Sequence, residues 1–248
     1  MRVLAALPLL LVPWATGAAS AEVVVLSAGA VEPGLVRLVD GFRQETGHAV
    51  RLSVGVPAAL RERVDAGEVA DLIVAPPAVV DALVAAGRAP GEARAVVGRV
   101  GVGVVVRQGS PRPEVSSPTA LREALLAADS PVYNRASTGT YFERLLDRLG
   151  IAAQVAAKTT RYPDGTAVLE HVLRGAGREI GIGAITEIRQ LEARGLALVG
   201  PLPPDLQNYT VYVAAVLAGS PSPEAAHALL RYVTAPAARA VFAATGVE

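Results

Sequence analysis

The chain has 248 residues, 52% of them hydrophobic and only 4% aromatic, with a formal net charge of zero and no cysteine. The missing thiols exclude disulfides, iron–sulfur ligation, cysteine-based zinc sites and thiolate catalysis, and the absence of any block of like charge argues against a nucleic-acid partner. A core of Val, Leu, Ile and Ala with few rings is the composition of buried parallel strands covered by helices.

The first 21 residues read as an export leader. Arg2 gives a positive start, residues 3–12 are apolar apart from Pro8, and Ala19-Ser20-Ala21 fits a signal-peptidase site. Cleavage after Ala21 and a periplasmic mature chain are therefore expected. The apolar stretch is shorter than the roughly 20 residues a spanning helix needs.

Strand and helix signals then alternate. Residues 23–27 form a buried strand. Pro33 suits a first helical turn, and Leu35, Leu38, Val39 and Phe42 recur at helical spacing before Gly47. Residues 50–54 make a second strand, followed by a helix from Pro57 through Leu60 and Val64 to Gly67. Residues 70–74 make a third, followed by Pro76-Pro77 and a helix through Val80, Leu83 and Val84. Three βα units in succession call for a parallel sheet with right-handed crossovers.

Residues 96–106 are a β-rich run longer than the usual strand of about 5–6 residues, as suits a chain leaving one lobe for another. A second series follows: a helix over 119–128, a strand over 131–134 and a helix over 138–150 with Phe142, Leu145, Leu146 and Leu149 on one face. Next come a strand over 158–162, a helix over 165–174, a strand over 180–184 and a helix capped by Thr186. A second long run, 209–217, would return the chain to the first lobe before two closing helices, 223–234 and 236–245. The expected architecture is α/β, with two βα lobes joined by two crossover strands. Residues 22–105 plus 212–248 are assigned to lobe I and 106–211 to lobe II.

In open α/β sheets ligands bind beyond the carboxyl ends of strands, where unpaired helix N–H groups and the helix dipole favour anions. Four strand-to-helix corners fit this description: Ser27-Ala28-Gly29-Ala30, Gly55-Val56-Pro57-Ala58, Arg135-Ala136-Ser137-Thr138-Gly139-Thr140-Tyr141 and Tyr162-Pro163-Asp164-Gly165-Thr166. Two come from each expected lobe, and face to face they would enclose a small anion. The candidate ligand-binding residues are Gly29, Ala30, Val56, Pro57, Ala58, Arg135, Ser137, Thr138, Gly139, Thr140, Tyr141, Arg161 and Gly165. The third corner offers three hydroxyls around a glycine, which is also what an ordinary N-cap looks like. Arg135 and Arg161 are candidates to grip a carboxylate bidentately, or are plain surface charges.

The tyrosines at 133, 141 and 209 fit packing better than ligation. His48, His171 and His227 form neither a metal cluster nor a triad, and Thr186-Glu187 reads as a helix start. No phosphate-binding glycine loop, metalloprotease helix or nucleophile elbow is present. No catalytic group, metal or cofactor is expected.

Several segments together resemble the periplasmic molybdate-binding proteins of ABC transporters. They are residues 25–30, the step Ala66-Gly67-Glu68-Val69-Ala70-Asp71-Leu72-Ile73, the Ser137-Thr138-Gly139-Thr140-Tyr141 corner, Gly181-Ile182-Gly183 with Glu187, and the ending from Ala235-Pro236 through Phe242 to Gly246. The resemblance implies the type II periplasmic-binding-protein fold with crossovers near 106 and 211, a small anionic ligand, and a membrane permease as partner to a monomeric receptor. It also implies serines after the first and second strands and a tyrosine after the Gly-Ile strand. This chain has Ala30, Val56-Pro57-Ala58 and Ala184 there, with Thr138 keeping a polar group at the third corner. The segment Gly200-Pro201-Leu202-Pro203-Pro204-Asp205-Leu206-Gln207 is similar to a divergent branch that includes aconitate isomerase. That branch implies an organic polycarboxylate ligand and a base at an acidic C–H, for which Glu187, Tyr141 and Lys158 are the candidates.

Overall fold

Strand β1 (Glu22–Ala28) is a Val-rich segment with all but its first residue buried, as a strand flanked on both edges and covered on both faces must be. The computed structural model describes residues 20–248, so nearly all of the expected leader lies outside the described residues. After a 3-10 turn over Gly29–Val31 the chain runs through α1 (Glu32–Thr46), β2 (Ala49–Gly55), α2 (Pro57–Asp65), β3 (Leu72–Ala75) and α3 (Pro77–Ala85). All three helices carry proline in the first turn, where the missing N–H costs nothing, and Gly47 ends α1 in the left-handed region at φ 76°.

The long run expected to cross between lobes is β4 (Arg94–Arg107). Beyond it come α4 (Pro118–Ala127), β5 (Ser130–Asn134), α5 (Ser137–Arg148), α6 (Ala152–Val155), β6 (Thr160–Tyr162), α7 (Gly165–Arg174), β7 (Glu179–Ala184), α8 (Ile185–Gln190) and β8 (Leu196–Pro201). The second long run is β9 (Tyr209–Val216), and α9 (Pro223–Thr234) and α10 (Pro236–Ala243) close the chain.

The strands lie in the order β2-β1-β3-β9-β4-β7-β5-β6, with β8 also on β4. The pairs β1–β2, β1–β3, β5–β6 and β5–β7 are parallel, whereas β9 runs antiparallel to both β3 and β4. The sheet of one lobe thus passes into the other through β4, whose first half pairs with β9 and whose second half pairs with β7 and β8. Each lobe has helices on both faces. In the first, α1, α9 and α10 pack around Phe42 and Phe242 on one face, and Leu60, Val80 and Leu83 cover the other. In the second, Leu121, Phe142 and Leu145 fill one face and Val168, Leu169, Val172 and Ile188 the other. Burying each such side chain contributes about 1.5–3 kcal/mol, which fixes the strand ends that carry the corners.

Two local expectations are corrected. Thr186 does not cap α8: Ala184 is the N-cap, and the Thr186 hydroxyl instead donates to the Ala30 carbonyl at 2.6 Å. The strand expected from 158 begins at Thr160, because Lys158 belongs to a 3-10 turn over Ala156–Lys158; its Nζ donates to the carbonyls of Leu126 and Ala128 at 2.7 and 2.5 Å.

Candidate functional site: a cleft between the lobes

All four expected corners open onto one cavity of about 430 Å³, within the range of a small-molecule site. Residues at the ends of β1 (Ala28, Gly29, Ala30), β2 (Gly55, Val56, Pro57), β5 (Asn134, Ala136, Ser137, Thr138) and β6 (Pro163 to Thr166) form its walls.

Side chains at the corners decide which amides face the cavity. A helix leaves its first four N–H groups without an internal acceptor. At α5 the Asn134 carboxamide takes two of them, accepting from Ala136 N and Gly139 N at 3.0 Å each. Ser137 and Thr138, both at the cavity wall, keep first-turn amides that no intrahelical carbonyl reaches. Gly139 is glycine because a Cβ would collide with the Asn134 carbonyl. At α7 Asp164 accepts from Ala167 N at 2.8 Å, leaving the Gly165 and Thr166 amides at the wall. At α2 Pro57 has no N–H, so the first amide there belongs to Ala58.

The interior of the cavity is acidic. Its charged lining residues are Glu32 from α1, Asp164 before α7 and Glu187 from α8, and no arginine or lysine joins them. The Glu187 carboxyl is wedged between the lobes. A Cβ on Gly29 would stand 2.7 Å from its Oε1, and one on Gly165 would stand closer still to its Oε2. Two glycines from opposite lobes therefore make the space for one carboxyl. Loss of hydration, then the charges of Asp164 and Glu32, push the Glu187 pKa up to about 7, and no hydrogen bond offsets them. Tyr212 of β9 stands at the cavity wall beside it, its phenol held above the ordinary value by burial and then by the Glu187 charge. Burial also raises Glu32.

Residues 23–248 match the family described as bacterial extracellular solute-binding protein. The chain belongs to that family. A curated relative of this solute-binding chain, aconitate isomerase from a Pseudomonas species, is 30% identical over 226 residues, covering 88% of this chain and 84% of its own. Among solved structures, the periplasmic molybdate-binding protein of Azotobacter vinelandii superposes with a TM-score of 0.75 at 18% identity, covering 91% of this chain and 98% of its own. A sulfate-binding protein of Mycobacterium tuberculosis gives 0.73 at 20% identity, covering 92% and 86%. These superpositions bear out the periplasmic-binding-protein fold expected from the sequence.

Within this solute-binding fold, Gly29, Ala30, Val56, Pro57, Ser137, Thr138 and Gly165 line the cavity. Ala58, Arg135 and Thr140 line an adjoining outer recess of about 540 Å³, together with Arg61 and Glu62. Three candidates stand elsewhere. Gly139 is buried behind the wall with its amide committed to Asn134. The Tyr141 hydroxyl donates to Leu206 O at 2.8 Å, holding the 3-10 turn of the Pro-rich segment. Arg161 makes a bidentate pair with Glu143 at 2.8 and 3.0 Å and lies over the Tyr133 ring, in a groove on the outer side of β5.

Ala30 and Ala184 line the cavity where the molybdate-binding resemblance implies hydroxyls, and Ser27 is buried with its hydroxyl bonded to Ala28 O. Sequence reasoning did not single out Asn134, Asp164, Glu32 or Tyr212, and gave Glu187 only as one of three possible bases. Asn134 carried a usable signal, an amide side chain at a strand end just before a helix, where such residues bond the next amides. Among the described residues no cluster of His, Asp and Glu suits a metal ion, and no helix is long and apolar enough to cross a membrane.

Proposed function

We propose that the chain is an exported receptor whose two lobes, meeting at β4 and β9, capture a small organic carboxylate and present it to an ABC permease. One observation carries this reading: helix-start corners from both lobes line a single cavity. The amides of Ser137, Thr138, Gly165 and Thr166 supply donors of the kind that hold an anion without a basic side chain. Ala30, Val56-Pro57 and Ala184 leave no hydroxyl at the positions where the molybdate-binding resemblance implies one, which speaks against a tetrahedral metal oxyanion. The outer recess with Arg61 and Arg135 extends the site for a ligand carrying more than one carboxylate.

The test is a thermal and chemical unfolding screen of the mature protein with molybdate, sulfate, citrate and the two aconitate isomers. A ligand at a hundredfold excess over Kd stabilises by about 2.7 kcal/mol. Stabilisation by a polycarboxylate and not by molybdate supports the reading; the reverse order removes it.

Glu187 favours a second reading, isomerisation of a polycarboxylate in the same cleft. A half-buried carboxylate with a pKa of about 7 at the cleft suits a general base near neutral pH. In an allylic shift it would take a proton from the CH2 carbon, the double bond would move by one position, and the same proton would return to the former vinyl carbon. No co-reactant is consumed. Incubating trans-aconitate with the protein in heavy water and following proton NMR decides this: cis isomer or deuterium at carbon supports catalysis, and neither leaves a receptor.

A further inference from the structure

We propose that Glu187 binds the ligand as a neutral carboxylic acid, donating its O–H to the captured anion, so that each ligand enters the cleft with one proton. The inference rests on the receptor reading above and deepens it.

The geometry carries it. Glu187 stands at the seam of the lobes, between Gly29 and Gly165, in a space that exists because both corners lack a Cβ. Neither oxygen has a hydrogen-bond partner among the described residues, although amide-bearing corners surround it. The ionisable groups around it are Glu32 from α1, Asp164 from the α7 corner and Tyr212 from β9. The polar lining from other elements, Asn134, Ser137, Thr138 and Thr166, is uncharged. No cation balances this set.

An anion placed among three carboxylates is repelled by each of them. Asp164 already serves as a helix cap, accepting from Ala167 N. Glu187 makes no such bond, and its carboxyl, set between Gly29 and Gly165, is the one free to turn an O–H toward the ligand. A carboxyl kept neutral can donate a hydrogen bond to an oxyanion, whereas an ionised one has nothing to donate. The pKa near 7 agrees, and a bound anion would raise it further.

The experiment measures Kd for trans-aconitate and for sulfate between about pH 5.5 and 8.5 by calorimetry in two buffers of different ionisation enthalpy, with wild type and Glu187→Gln. Subtracting the two proteins removes the ligand's own titration. The expected result is uptake of about one proton per ligand above neutrality, with wild-type affinity falling toward tenfold per pH unit there, and a flat profile for the folded Gln variant. Gly165→Ala, which crowds the carboxyl, should blunt the same slope. A flat wild-type profile, or affinity that rises with pH, overturns proton coupling while leaving the receptor intact. Failure of both probes to bind at every pH overturns the receptor reading and this inference together.

Discussion

The Thr186 hydroxyl donates a 2.6 Å hydrogen bond to the Ala30 carbonyl, tying α8 of the second lobe to the corner after β1 in the first. Both residues are buried, so neither group can turn to water instead. Thr186→Val keeps the shape and removes the donor, leaving a buried carbonyl unpaired at a cost of about 1–3 kcal/mol. Urea unfolding should show that loss, and Thr186→Ser should restore most of it. Equal stability of the Val variant would mean that the lobes do not depend on this contact.

Asp71 holds the ends of three segments at once. It is fully buried and accepts from Val24 N at 2.8 Å, Ser222 N at 3.0 Å and the Ser220 hydroxyl at 2.6 Å. The Ala70-Asp71-Leu72 step that carried part of the family resemblance is thus a structural clamp between β1 and the loop before α9. Asp71→Ala leaves the buried Val24 amide without its side-chain acceptor and frees Ser220, while Ser222 N keeps the Ser220 hydroxyl at 3.2 Å, and a loss of about 1–3 kcal/mol is expected in the same unfolding assay. Asp71→Asn retains one acceptor oxygen and should lose less.

The corners were legible because their signals are local. Prolines at 33, 57, 77, 118, 223 and 236 mark helix starts, and the runs 96–106 and 209–217 are too long for ordinary strands, so the chain order of two βα lobes follows from neighbouring residues alone. Glu187 was not legible as the centre of the cleft, since its environment comes from residues 29, 32, 164 and 212, distant along the chain. Its sequence neighbours show only a short helix start. Arg161 misled for a related reason. A three-residue strand carries too little alternation to show which face an arginine takes, and the deciding partner, Glu143, lies on another element.

That pairing makes Arg161 a control. Arg161→Ala breaks an ion pair whose members are about a third to a half exposed, and such pairs contribute on the order of 0–1 kcal/mol. Ligand affinity should be unchanged. Arg135→Ala, which empties part of the outer recess, should weaken a polycarboxylate and leave sulfate alone. Calorimetric Kd values for the two variants would reverse these assignments if only Arg161 mattered.

The Gly29–Glu187–Gly165 seam also fixes a stability profile. Folding raises the Glu187 pKa to about 7 from an ordinary 4.5, so between those values the native chain holds a proton that the unfolded chain has released. Native stability must then fall as pH rises through that window and level off above it. A tenfold difference in proton affinity between the folded and unfolded chain is worth about 1.4 kcal/mol, which sets an upper bound of about 3.5 kcal/mol on the loss at alkaline pH. Glu187→Gln mimics the neutral acid and escapes the penalty. It should match wild type near pH 4.5 and exceed it at pH 8, by an amount that urea titrations at the two pH values measure directly. A Gln variant less stable than wild type at pH 8 would mean that the ionised carboxylate is welcomed at the seam, and the proton would have to be assigned elsewhere in the cleft.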